Sequence, residues 1–427
     1  MRVLMTGATG MIGSALVGRL LEAGHELVLV VRDTGCARAR WPRVTIHHGS
    51  FGEEIPPWAS YLQDVDVVIN AVGLFTEQGG QTFNAVHVKG PLALFSAAAQ
   101  AGVGRIIQIS ALGANPRRDE AYLASKGRAD ANLAGLPIQS TIVRPSLVFD
   151  AEGASTQWFA ALAILPLTPL PGSGEQRVQP VHVNDLCAAV VHLVDAPEPP
   201  AQLEAVGATA MTLRAYLKTL KDAMGATGGF VPVPITLLHW VARFFGRFSP
   251  WLAPGSLSML QAGSTAAAEP MAKVLGRAPR AATSFVDEAS RATLRTHAAL
   301  FWLRPLLRIS LALMWIITGY VSAFVYPFPA SMDLLAHTGL HGVAATVALY
   351  GAAGLDAVLG LLLFMPAWRR LSYTVQLVLI TAYTVVISVF LPEYWAHPYG
   401  PILKNLPLLA AIALARELDT PHGRHRR

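Results

Sequence analysis

The sequence predicts an α/β domain on a parallel, doubly wound sheet with a small second lobe, followed by an all-α domain of four membrane-spanning helices. Three observations predict it. Short apolar runs alternate with helix-like stretches over residues 1–200, a glycine triplet follows the first apolar run, and charge thins out after residue 304. Hydrophobic residues make up 53% of the chain and charged residues 14%. An ordinary soluble domain carries roughly 25% charged residues, so part of this chain belongs in lipid.

The apolar runs are Val3-Leu4-Met5 and residues 27–31, 65–69, 105–109 and 140–143. Strands alternating with helices imply βαβ units and hence a parallel sheet over residues 1–200. Residues 213–224 read as a helix closed by Gly225, and Pro232, Pro234, Pro250 and Pro254 interrupt the chain beyond it. Residues 201–300 therefore read as a substrate-side lobe plus linker, and 304–418 as the membrane domain.

Four apolar stretches lie in that last region. Residues 306–325 carry one charge, Arg308; residues 340–365 are apolar apart from His341 and Asp356; residues 371–391 carry no charge; residues 401–415 are shorter and contain Lys404 and Pro407. The first three meet the length needed to cross a bilayer, and the fourth is marginal. Arg304 and Arg308 precede the first stretch, Arg369 and Arg370 separate the second from the third, and Arg416, Arg424, Arg426 and Arg427 follow the fourth. The loops 326–339 and 392–400 hold no Lys or Arg. The positive-inside rule then gives a multi-pass protein of the cell (inner) membrane with both termini cytoplasmic. The N-terminus runs straight into the glycine motif, without a secretory leader, which agrees. The alternative is a very apolar soluble bundle.

Inside the second stretch a charge such as Asp356 is costly and by default functional, with Lys404 as candidate partner. Alternatively Asp356 is neutral and Lys404 snorkels to the interface. His397, Tyr399 and Asn405 add polar groups at the non-cytoplasmic end, and Pro407 could kink the fourth helix and free a carbonyl for Asn405 or Lys404. The net charge of +6 is too mild to argue for nucleic acid. The tail Arg424-His425-Arg426-Arg427 either touches anionic lipid or is simply solvated. Cys36 and Cys187 have neither metal-type spacing nor a disulfide framework, so no metal is expected and a reducing compartment fits.

Thr6-Gly7-Ala8-Thr9-Gly10-Met11-Ile12-Gly13 follows the first strand and opens a helix. Gly7 permits the tight turn, Gly10 lets main chain approach a pyrophosphate, and Gly13 packs helix on sheet. The helix N-terminus offers N–H donors to phosphate. In this context the pattern predicts a Rossmann site for NAD(P). The second strand ends Arg32-Asp33. An arginine there suits the 2′-phosphate of NADP, and an acid suits the ribose diol of NAD, so NADP is expected with NAD as the alternative. Asn70-Ala71-Val72-Gly73 ends the fourth strand, where small residues let a cofactor cross; Asn70 could instead only cap the next turn. The expected cofactor contacts are thus Gly7, Thr9, Gly10, Met11, Ile12, Gly13, Arg32, Asn70, Ala71, Gly73 and Lys126.

Tyr122-Leu123-Ala124-Ser125-Lys126 puts a phenol and an ammonium on one helix face. The nearby charge is expected to lower the tyrosine pKa. Tyr122 would pass a proton to or from a substrate oxygen while hydride moves to or from nicotinamide. Lys126 would also hold the ribose hydroxyls. Ser110, at the end of the fifth strand and twelve residues before Tyr122, would donate to the same substrate oxygen.

These features together resemble the short-chain dehydrogenase/reductase superfamily, in particular the extended and atypical branch that includes the 39 kDa accessory subunit of respiratory complex I. Ile109-Ser110-Ala111-Leu112-Gly113-Ala114, Arg144-Pro145-Ser146-Leu147-Val148-Phe149 and Pro180-Val181-His182-Val183-Asn184-Asp185-Leu186 look like that branch's later motifs. The resemblance covers residues 1 to about 290 and implies a catalytic Ser-Tyr-Lys set. The pattern departs at three places: Gly49-Ser50 stands where many members have Asp for adenine, His87 where many have Asn, and Asp150 where Gly is usual. His87 is either a proton relay or a packed histidine.

Residues 304–418 resemble the DoxX-like family of four-helix membrane proteins, through Trp315-Ile316-Ile317-Thr318-Gly319, Gly354-Leu355-Asp356 and His397-Pro398-Tyr399-Gly400-Pro401-Ile402-Leu403-Lys404-Asn405-Leu406-Pro407. The expected function is a membrane-tethered NAD(P)-dependent oxidoreductase or epimerase acting on a lipophilic carbonyl or hydroxyl compound. One alternative is a non-catalytic NAD(P)H-binding module supporting assembly or redox sensing in a membrane respiratory or biosynthetic complex. Another is a four-helix transporter or redox partner regulated by the soluble domain.

Overall fold

The computed structural model describes residues 1–52, 56–77, 79–245 and 254–419. Pro250 and the tail Arg424–Arg427, both given a reading from sequence, lie outside the described residues.

Seven strands form one parallel sheet: β1 Arg2–Thr6, β2 Glu26–Val31, β3 Thr45–His48, β4 Val67–Asn70, β5 Arg105–Ile109, β6 Gln139–Pro145 and β7 Gln202–Ala205. Their spatial order is β7-β6-β5-β4-β1-β2-β3. The order reverses between β1 and β4, and in open α/β sheets ligands bind at that point, beyond the carboxyl ends of the strands. The apolar runs are continuous rather than alternating because the sheet is covered on both faces. On one face α1 (Met11–Glu22) packs, with Leu16, Val17 and Leu20 fully buried. The other face carries Trp58 and Leu62 with Leu94, Phe95 and Ala98 of α3 (Gly90–Gln100) and Leu133 of α4 (Ala121–Ala134). Between β2 and β3 lies α2 (Thr34–Arg40).

The α1 face also receives α5 (Val183–Asp195), whose buried Cys187, Val190 and Val194 join the same core. His182 caps that helix, accepting from the Asn184 N–H at 3.1 Å. Asp185, fully buried, accepts from the Arg280 N–H at 2.7 Å and pairs with Arg277. Val181 and His182 pair with Val148 and Phe149, so two of the motif segments are neighbours in space. A third apolar cluster joins Phe149, Phe159 and Leu170 to Tyr216, Leu217 and Leu220 of α6 (Leu213–Ala223) and to Phe285 and Leu294. The lobe beside the sheet thus draws on residues well before 201. After α6 comes α7, Ile235–Phe245.

By internal contacts the chain divides at Ala298/Ala299. The second unit is helical: α8 (Glu288–Tyr320), which begins in the first unit, α9 (Gly342–Leu362), α10 (Arg369–Phe390) and α11 (Asn405–Asp419). Among the described residues, three helices are long and apolar enough to cross a membrane: Glu288–Val325, Gly342–Leu362 and Arg369–Phe390. The first begins far ahead of residue 306, with Pro305 inside it. The stretch 326–339, expected as a loop, holds a helix of its own, Phe328–His337. Pro407 falls in the first turn of α11, where proline breaks no helical hydrogen bond, so the expected kink is replaced by a start.

Within this unit Arg304 binds Asp419 at 3.0 Å, the Tyr373 hydroxyl donates to Asp419 at 3.0 Å, and Arg416 donates to Thr374 at 3.1 Å. The start of the apolar part of α8, the start of α10 and the end of α11 therefore share one end of the bundle. Arg304, Arg308, Arg369 and Arg416 converge there. Gly319 and Gly360 let α8 and α9 close in on each other: a Cβ at Gly360 would lie 2.7 Å from the Ala312 carbonyl, and one at Gly319 would strike the Ala353 carbonyl. Asp356 is buried on α9, whereas Lys404 is exposed, and no ion pair joins them among the described residues.

Candidate functional site

A cleft opens across the carboxyl ends of β1, β2 and β4. Its lining includes Thr6, Gly7, Thr9 and Gly10 from the first loop, Arg32 from the tip of β2, and Ala71, Val72, Gly73 and Leu74 beyond β4. Gly7 is in the left-handed region, φ +77°, and a Cβ there would sit 2.5 Å from the Ala71 carbonyl carbon. Only glycine fits, because the loop must turn tightly against the next strand. A methyl on Gly13 would collide with the Gly7 carbonyl, so Gly13 serves helix packing rather than the cleft wall. Met11 and Ile12 occupy the first turn of α1, behind Gly10, and do not line the cleft.

Asn70 is fully buried and its side chain is used up inside the sheet. Its carbonyl oxygen accepts from the Thr6 hydroxyl at 2.7 Å and from the Val72 N–H at 3.2 Å, while its amide donates to Gln108 at 2.7 Å. It fixes the turn that presents Ala71 to Gly73, which is the capping alternative raised from the sequence. Asp33 caps α2 by accepting from the Cys36 N–H at 2.9 Å, while Arg32 is exposed along the cleft.

The far end of the cleft is walled by Ser50, Phe51 and Trp58. The Ser50 hydroxyl and the Trp58 indole nitrogen are buried without a hydrogen-bond partner among the described residues. Buried polar atoms normally find partners, so these two fit a nucleotide base edge. A glycine cradle at one end and orphaned polar atoms at the other match a dinucleotide. In the sequence Ser50 stands out only as a departure, and Trp58 carries no signal because nothing near it resembles a motif.

Beyond Val72 and Gly73 stands α4, which reaches this end through Lys126 although none of its residues, nor Ser110, lines the cleft. Tyr122 lies among the rings of Phe75, Phe83 and His87, with centroids 5.5, 6.1 and 5.6 Å away. Burial pushes its pKa up to about 12, contrary to the sequence expectation that Lys126 would lower it. The reason is local: the apolar rings penalise the phenolate, and the Lys126 ammonium is held elsewhere. That ammonium donates to the Val72 carbonyl at 3.0 Å and the Ile109 carbonyl at 3.1 Å, beneath the ends of β4 and β5. Burial lowers the Lys126 pKa to about 8, with Asp130 opposing.

Ser110 is buried and its hydroxyl donates to Asp130 at 2.8 Å; Asp130 also accepts from Arg144 at 2.9 and 3.0 Å. The structure thus gathers Ser110, Asp130 and Arg144 in a network behind the cleft, with Tyr122 and Lys126 beside it. His87 is buried too. Its Nε2 accepts from the Leu74 N–H at 2.9 Å, and its Nδ1 lies 2.8 Å from the Ser125 hydroxyl, which donates to the Tyr122 carbonyl at 2.8 Å. Since Nε2 accepts, Nδ1 carries the proton. Burial, and then Lys126, lower its pKa to about 2. Both nitrogens are engaged, so the ring is a neutral brace between the β4 loop and α4.

Residues 7–165 match the family model described as NAD(P)H-binding, and residues 312–413 match the DoxX-like family. The chain joins an NAD(P)H-binding domain to a DoxX-like domain. Among curated proteins, the mouse mitochondrial NADH dehydrogenase (ubiquinone) 1 alpha subcomplex subunit 9 is 28% identical over 260 residues, 57% of this chain and 67% of that protein. The human epimerase family protein SDR39U1 is 26% identical, covering 58% of this chain and 87% of its own. Among solved structures, a nucleoside-diphosphate-sugar epimerase from Staphylococcus aureus superposes with TM-score 0.57 at 18% identity, over 67% of this chain and 100% of that one. The NADPH-dependent quinone oxidoreductase QOR2 from Escherichia coli gives 0.55 at 19%, over 68% of this chain and 99% of that one. The N-terminal unit therefore shares the fold of these epimerase and reductase structures.

Proposed function

We propose that the protein is a membrane-tethered NADP(H)-dependent oxidoreductase whose substrate is a lipophilic carbonyl compound. The observation that carries this reading is a neutral phenol, Tyr122, on the helix whose Lys126 ammonium lies beneath the strand ends bordering the cleft.

Gly7, Thr9 and Gly10 would hold the pyrophosphate, Ser50 and Trp58 the base, Arg32 the 2′-phosphate and Lys126 the ribose hydroxyls. The bound nicotinamide supplies hydride. Tyr122, protonated at neutral pH, donates its hydroxyl proton to the substrate carbonyl oxygen as charge develops there. Lys126, its ammonium held by the Val72 and Ile109 carbonyls, would orient the ribose. Ser110 acts indirectly: through Asp130 it fixes α4, and so Tyr122, against β5. His87 braces the same helix from the other side. Reduction is expected to fall as pH rises through about 8, where Lys126 loses its proton.

The DoxX-like domain would anchor this chemistry at the inner membrane, with its arginine-rich end and both chain termini cytoplasmic. A single test decides the chemistry. NADPH oxidation by the full-length protein in detergent, with a panel of apolar aldehydes, ketones and quinones, should be supported by wild type and lost in Tyr122→Phe.

A second reading rests on a specific observation: both nitrogens of His87 are occupied, and the Ser110 hydroxyl is directed to Asp130. On that reading the domain binds NAD(P)H as a supporting module of a membrane complex. Cofactor binding and cellular phenotype that both survive Tyr122→Phe would establish it over the enzyme.

A further inference from the structure

Helix α7, Ile235–Phe245, is apolar on two sides. Ile235, Leu238 and Ala242 form the packed stripe, at positions i, i+3 and i+7, with Ala242 buried and the other two half-buried. Thr236, His239 and Arg243 form an exposed polar stripe. Leu237, Trp240 and Phe244 form a third, and they are 49%, 57% and 52% exposed. At 3.6 residues per turn this third stripe lies nearly opposite the packed one. The Trp240 and Phe244 rings touch, centroids 4.6 Å apart, so the stripe is a continuous ridge.

We propose that α7 lies in the bilayer interface, with Leu237, Trp240 and Phe244 inserted among the upper acyl chains and Arg243 at the phosphates. An aromatic and aliphatic ridge beside basic residues is the composition of helices that lie in a membrane surface. The ridge spans only about 10 Å along the helix. Its three side chains are far fewer than the roughly 20–30 residues a side of a stable protein interface, which argues against a second protein. A bilayer needs no such minimum, and the described residues include three helices long and apolar enough to cross one. The proposal is independent of the reductase chemistry and rests on the membrane reading of the second unit.

The test uses full-length protein in phosphatidylcholine liposomes containing roughly 30% anionic lipid, enough surface charge to attract basic side chains. Cys36 is replaced by Ser, and the buried Cys187 is kept. Single cysteines at Thr236, Trp240, Phe244 and Val378, the last on α10 and 65% exposed, carry a bimane fluorophore. Quenching by a doxyl group high on the acyl chain should be several-fold stronger at 240 and 244 than at 236. Quenching at 378 with none above the 236 level at 240 and 244 overturns the docking while leaving the membrane reading intact. No quenching at 378 overturns both. Disulfide cross-linking of Trp240→Cys into dimers, without quenching, assigns the ridge to a second copy and also overturns the proposal.

Discussion

The two ends of the cleft are built on opposite principles. Around Tyr122 most polar groups are tied down: Lys126 to two carbonyls, His87 at both nitrogens, Ser125 to the Tyr122 carbonyl and Ser110 to Asp130, whose second oxygen alone among these has no partner among the described residues. Around Ser50 and Trp58 the polar atoms are buried and unmatched. A reacting group must be held still before substrate arrives, because misplacement costs rate. A binding edge gains by leaving its hydrogen bonds unspent until the ligand makes them, since an unsatisfied buried polar atom costs about 1–3 kcal/mol in the free protein. On the proposed function, the difference puts chemistry at one end and grip at the other.

The sharpest way to break that division is Tyr122→Phe. Turnover should fall by about 10²- to 10⁴-fold, while NADPH affinity measured by fluorescence titration stays unchanged; a matching loss of affinity would show that the two ends are not separable. Next, Arg32→Ala should weaken NADPH binding by about 10- to 100-fold, the scale of a charge-assisted contact, and leave NADH binding nearly untouched. Equal losses for both would remove the case for NADP.

A smaller effect carries an unusual sign. Ser50→Ala should weaken nucleotide binding by about 3- to 10-fold, yet raise the melting temperature of the nucleotide-free protein, because an orphaned hydroxyl disappears. A lower melting temperature would mean that Ser50 already has a partner.

The smallest concerns His87. Its folded pKa of about 2 lies below the ordinary 6.5, so between those values the unfolded chain binds a proton that the folded one does not. Stability is therefore lost as pH falls below about 6.5, with a limiting slope near 1.4 kcal/mol per pH unit. His87→Gln should be less stable at neutral pH but flatter between about pH 6.5 and 4.5 in thermal melts. A slope as steep as wild type would clear His87 of the acid response.

Much of the fold and the cleft was legible in the residues. Gly7 and Gly13 announce themselves because a left-handed turn and a close helix approach admit only glycine, and the sheet follows from apolar runs that no surface strand could carry. Tyr122 and Lys126 were legible from spacing on one helix. Their protonation was not: the sequence pointed to a lowered tyrosine pKa, but the Phe75, Phe83 and His87 rings come from the β4 loop and the helical turn beyond it, and their desolvation prevails. Asn70, expected on the cofactor, faces Thr6 and Gln108 instead, a cross-strand arrangement that becomes visible only once β1, β4 and β5 are adjacent. Trp58 stayed silent for the same reason.

By itself the chain's order of residues determined what local physics determines: strand, turn and helix, the glycine loop, and the lengths of the apolar helices, since each depends on neighbours a few positions away. Tertiary structure alone decided which polar atoms are spent and which are free. Hydrogen bonds such as Ser110 to Asp130 and Leu74 to His87, and the unmatched indole of Trp58, depend on segments that meet only after the sheet has formed.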